Sequence, residues 1–139
     1  MRKMKRILAL DTAALMLTSA FAMPASAEER YGWSFNVAPD QITYTTAVYS
    51  KRTDSGCYVY YEGGTKPYFS CDILNSAGKS QCKKTGPIHE GEAGRILQYV
   101  YENGYRSCKL KLTSPTNTYG GGVGTWNPDT TTKVAYINL

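Results

Sequence analysis

Tyr68-Phe-Ser-Cys-Asp-Ile-Leu-Asn-Ser-Ala-Gly-Lys-Ser-Gln-Cys82 is the stretch on which the reading of the fold turns. Phe69, Cys71 and Ile73 fall on one side of a two-residue alternation, and Ser70 and Asp72 on the other. That is the pattern of a strand with one buried face. Asn75-Ser-Ala-Gly78 supplies turn chemistry, with Gly78 able to take a positive φ. A four-residue loop there sets Leu74 against Lys79 and, counting outward, Cys71 against Cys82. The expectation is a hairpin that carries its own disulfide.

Outward from this hairpin the chain continues as short strands. Tyr31, Trp33, Phe35 and Val37 share one face of a first strand, which Pro39-Asp40 ends. Ile42–Tyr49 reads as a second strand and Cys57–Tyr61 as a third, with Asp54-Ser-Gly56 between them. Gly86-Pro87 to Gly94 reads as a polar connection holding His89, the only histidine. Asn103-Gly104 is a type I′ signal that predicts Arg95–Tyr101 paired with Tyr105–Thr113. Val123–Trp126 and Val134–Leu139 read as the last two strands. No stretch sustains a 3.6-residue apolar period. The expected fold is all-β: a single-domain antiparallel β-sandwich over residues 28–139, jelly-roll-like or immunoglobulin-like.

The start of the chain has a different character. Arg2, Lys3, Lys5 and Arg6 precede an apolar run from Thr12 to Met23, and Ala25-Ser-Ala27 follows as a small-residue cleavage pattern. Residues 1–27 are therefore expected to be a secretory signal peptide, although Asp11 weakens its apolar run. The run is too short to span a bilayer comfortably. The expected product is secreted and extracellular, with no stable membrane anchor after cleavage. The leader holds four basic residues against one acidic, so the net charge of +5 falls to about +2 for the remainder. Binding to nucleic acid loses most of its support at that step.

All four cysteines lie beyond the leader, an even number in a chain read as exported, which predicts two disulfides. Cys57 shares a face with Val59 and Tyr61, and Cys108 with Leu110 and Leu112. The preferred pairing is Cys71–Cys82 with Cys57–Cys108, and Cys71–Cys108 is the competing bond. No C-x-x-C motif occurs, so neither zinc nor another cofactor is expected.

Catalytic chemistry has few candidates. His89-Glu90 with Glu92 is the one place where a general base is assembled locally, and a solvated polar loop is the preferred reading. Asp54, Glu62, Asp72 and Asp129 show no spacing that would pair them. No serine stands in a G-x-S-x-G context. Gly120-Gly-Gly-Val-Gly124 lacks the Lys-Ser/Thr of a phosphate loop and reads as a turn or bulge. The twelve tyrosines are the more suggestive feature. Tyr58 and Tyr60 are expected to point away from Cys57, hence outward, where exposed rings stack on sugars or anchor a protein. Trp33 and Trp126 read as core residues, with ligand stacking by Trp126 as the alternative.

Three stretches resemble a family of small secreted proteins of unknown function from Gram-positive bacteria, the Firmicutes. They are Trp33-Ser-Phe35, Tyr49-Ser-Lys-Arg-Thr53 and Gly124-Thr-Trp-Asn-Pro-Asp129. The resemblance implies no activity and no catalytic residue, and the cysteines are not part of it. The functional expectation is a non-enzymatic binding module for a cell-surface glycan or an extracellular protein. The alternative is a secreted effector, either a bacteriocin-like toxin or an inhibitor of a hydrolase.

Overall fold

Phe69 lies at the centre of the core, with ring centroids 5.1 Å from Tyr61, 5.4 Å from Phe35 and 5.8 Å from Trp33. Two antiparallel sheets enclose this aromatic cluster in the computed structural model, which describes residues 29–139. The expected leader lies outside the described residues. The strands are β1 (Tyr31–Val37), β2 (Thr43–Thr45), β3 (Tyr49–Ser50), β4 (Cys57–Gly64), β5 (Tyr68–Leu74), β6 (Gly86–His89), β7 (Ala93–Ile96), β8 (Ser107–Thr113) and β9 (Gly120–Asn127). One sheet runs β1-β9-β4-β7 and the other β2-β8-β5-β6, with β3 also paired to β8. Among the described residues there is no helix.

Alternation decides which side chains enter the core. On β1, Trp33, Phe35 and Val37 are buried while Gly32, Ser34 and Asn36 are exposed. On β8, Cys108, Leu110 and Leu112 are buried between half-buried Lys109 and Lys111. Phe69, Cys71 and Ile73 of β5 are wholly buried, as the alternation in the opening stretch predicts.

The hairpin register differs from the expectation. The loop is five residues long, not four: Asn75 N–H donates to Lys79 O at 2.9 Å, and Leu74 stands opposite Ser80. The Asn75 side-chain oxygen accepts the N–H groups of Ala77 (3.0 Å) and Lys79 (2.9 Å), and Gly78 takes φ +87°. Gln81 then pairs with Ile73, and its carbonyl is taken by Tyr99 N–H from a distant loop. The chain leaves the ladder there and returns as β6, so Gly86 stands opposite Cys71, not Cys82. The Cys71–Cys82 staple is thereby corrected. Cys57, Cys71, Cys82 and Cys108 are all free thiols in this structure, so the expected disulfides are not formed.

Other expectations are corrected by topology. The segment read as a polar connection contains β6, whose Ile88 is wholly buried. The Asn103-Gly104 turn exists, with Gly104 N–H donating to Tyr101 O at 3.0 Å, but it does not join paired strands. β7 pairs with β4 in one sheet, while β8 pairs with β5 in the other. The Ile42–Tyr49 strand is split into β2 and β3. Residues 134–139 contribute a single parallel bridge, Arg95–Tyr136. Finally, the glycines from Gly120 belong to β9 itself, a central strand between β1 and β4. At Gly122 the core aromatics leave no room for a side chain: a Cβ there would meet the Tyr61 ring at 2.6 Å and the Phe69 ring at 2.8 Å.

Candidate functional site

Lys51 follows β3 and turns its side chain inward, where the residue is 1% exposed. A buried ammonium needs acceptors and a counter-charge. Lys51 Nζ donates to Ser55 O at 2.6 Å and to Asp129 Oδ1 at 2.8 Å. Asp129 stands just beyond β9 on an Asn127-Pro-Asp turn, where Asn127 Oδ1 accepts the Asp129 N–H at 3.1 Å. Its carboxylate also accepts from Arg52 N–H (2.9 Å), Thr53 N–H (3.0 Å) and the Thr53 hydroxyl (2.8 Å). Burial works against the charge on Asp129. The Lys51 ammonium and the Arg52 and Thr53 donors outweigh it and hold the carboxyl below its ordinary pKa.

The pair ties the β3–β4 loop to the end of β9. Ser55 extends the knot: its hydroxyl lies 2.7 Å from that of Thr53 and accepts Thr130 N–H at 3.2 Å. Its carbonyl takes Gln98 Nε2 at 2.9 Å. Above this knot lies an open groove of about 740 Å³. Among its lining residues are Glu29, Tyr31, Arg52, Asp54, Asn127 and Thr130. Tyr31 is fixed by stacking on Tyr49, with centroids 3.6 Å apart and planes at 13°, and Tyr49 packs edge-on against Trp126. Glu29 accepts from the Tyr31 hydroxyl and from Arg52, each at 3.2 Å. Burial and the nearby Glu29 carboxylate raise the Tyr31 pKa.

The three stretches that carried the family resemblance meet here. Trp33 stands opposite Gly124 in the β1–β9 register, Tyr49 packs on Trp126, and Lys51, Arg52 and Thr53 all bind Asp129. Lys51 and Asp129 are 78 positions apart, and no local spacing connects them.

The candidates read from sequence are distributed elsewhere or enclosed. Trp126 is wholly buried, which corrects the alternative of ligand stacking by its ring. Tyr58 points away from Cys57 but is 6% exposed, because the Arg30 guanidinium lies 3.9 Å over its ring. Tyr60 is half-buried on the same face, opposite Thr125. His89 is exposed and pairs with Glu92 at 3.1 Å in the turn after β6, outside the groove lining. Asp54 and Asp129 both reach the groove, while Asp72 accepts from Ser80 at 2.8 Å. Among the described residues no cluster of histidine, cysteine and carboxylate groups can hold a metal ion. The thiols sit in the core: burial drives the Cys71 pKa upward and pushes that of Cys82 up to about 12. Burial and the adjacent Cys108 thiol raise that of Cys57.

Fold and site define a two-sheet antiparallel β-sandwich with a polar groove at one end, built on a buried ion pair. The chain belongs to the DUF2712 family, proteins of unknown function, whose pattern matches residues 18–130. No curated protein and no solved structure matches it.

Proposed function

We propose that this protein is a secreted, extracellular, non-enzymatic module that binds carbohydrate in the groove beside Tyr31. The observation that carries this reading is the lining itself: one aromatic ring held rigid by stacking, surrounded by hydroxyl, carboxamide, carboxylate and guanidinium groups. An aromatic plate amid fixed polar groups suits a sugar ring, which has apolar faces and a hydroxylated rim. Asp129, one of the lining carboxylates, is committed to Lys51 and three further donors, which favours binding over acid–base catalysis. The strand order, with β3 set aside, is that of a jelly roll, an architecture also used by lectin domains, and that likeness is one of fold alone. Export from a Gram-positive cell rests on the leader pattern of residues 1–27 and on the family resemblance.

The test is retention on purified cell-wall polysaccharide and on a glycan array. Tyr31→Ala and Arg52→Ala are each expected to weaken retention at least about tenfold, the loss of roughly 1.4 kcal/mol. Tyr60→Ala is expected to leave it unchanged. Absence of retention by the unmodified protein, or equal loss with Tyr60→Ala, overturns the groove as the binding site.

A further inference from the structure

The two sides of the sandwich are finished differently. On one side the chain's own C-terminal segment covers β7: Arg95 N–H donates to Ala135 O, and Ile137 N–H to Arg95 O, both at 2.9 Å. On the other side β1 is outermost and, among the described residues, pairs only with β9. The second sheet also ends there, since Phe35 of β1 stacks on Tyr44 of β2 with centroids 5.7 Å apart.

An outermost strand presents a row of backbone donors and acceptors to any second strand, and proteins usually blunt such an edge with lysine, proline or a bulge. β1 has none of these: Tyr31-Gly-Trp-Ser-Phe-Asn-Val37 carries no charge and no proline, and its pairing with β9 is regular throughout. Its outward side chains, Gly32, Ser34 and Asn36, are small and neutral. Ile42 and Val48, both exposed, flank β2 in the outermost segment of the β2-β8-β5-β6 sheet.

We propose that β1 is a self-association edge: two copies of this chain pair β1 antiparallel about a two-fold axis at Ser34, joining their four-stranded sheets into one of eight strands. The occupant is a second copy because the strand is self-complementary in size and charge. Pairing about Ser34 sets Gly32 opposite Asn36, Trp33 opposite Phe35 and Tyr31 opposite Val37, with no like charges facing. The strand is short and the interface small, so association is expected in the micromolar range. This inference goes beyond the groove reading and does not depend on it.

Sedimentation equilibrium from about 1 µM to about 500 µM tests it. The unmodified protein is expected to pass from monomer mass to dimer mass across that range. Ser34→Lys and Ser34→Asp each set like charges face to face on the axis, and each is expected to weaken association at least tenfold. Ser34 points to solvent in the monomer, so the near-ultraviolet circular dichroism of both variants should match that of the unmodified protein. An equimolar mixture of the two variants is expected to regain dimer mass, because opposite charges then meet at the axis. A monomer at every concentration, dimerisation indifferent to Ser34→Lys, or no recovery in the mixture overturns the proposal.

Discussion

Lys51 is a cation with almost no solvent exposure, so its ammonium depends on Asp129 and on the Ser55 carbonyl. Removing the carboxylate by Asp129→Ala leaves that charge buried and is expected to cost about 3–5 kcal/mol, read as a lower urea midpoint. Replacing both partners with apolar residues, Lys51→Met with Asp129→Leu, should recover part of the loss. The pair also predicts acid sensitivity. Asp129 is held below its ordinary pKa of 3.8 when folded, so on acidification the unfolded chain takes up this proton first. The stability it contributes is complete above that value and is lost as pH falls through the lower, folded pKa. Asp129→Asn should remove this part of the pH dependence, read in urea titrations carried from about pH 5 down to about pH 2. The thiols give a further residue-scale test. Cys57, Cys71 and Cys108 are wholly buried and Cys82 is half-buried. Burial favours the protonated, unreactive form. At neutral pH, iodoacetamide should therefore label Cys82 first and the other three only after unfolding. Native-state labelling of Cys57 at the unfolded rate would contradict the packing described.

At the scale of elements, β9 is the strand most constrained by its neighbours. Gly122 faces the Tyr61 and Phe69 rings, so Gly122→Ala has to displace an aromatic side chain. A cost of about 1–3 kcal/mol in thermal or urea unfolding is expected, against less than about 0.5 kcal/mol for Val123→Thr on the open face. β1 and β5 are legible in the sequence because each has one buried face, and alternation records it directly. β6 is not legible: four residues including Gly86 and Pro87 carry too little pattern, and only Ile88 and Gly86 are buried. The Asn103-Gly104 signal is real at the level of the turn and misleading at the level of pairing. Turn chemistry is set by a few adjacent residues, whereas the strands on either side answer to partners in different sheets.

At the scale of the molecule, β5 and β6 are, among the described residues, the only consecutive strands that pair with each other. Every other neighbour in a sheet comes from elsewhere in the chain, so local reading recovers strands far better than their order. The groove follows the same rule. Its floor needs Lys51 from the β3–β4 loop and Asp129 from the end of β9, and its aromatic plate needs Tyr31 from β1 against Tyr49 from β3. In the sequence Lys51-Arg52 is a small basic cluster and Asp129 one carboxylate among several. The sequence by itself determined the all-β class, the inward faces of β1, β5 and β8, and the core places of Trp33, Trp126, Cys57, Cys71 and Cys108, because burial imprints a two-residue period on a strand. The tertiary structure alone decided the five-residue turn, the free thiols, the covering of Tyr58 by Arg30 and the burial of Lys51 against Asp129. Each of these depends on which distant segment arrives beside the residue, and hydrophobic alternation carries no record of that.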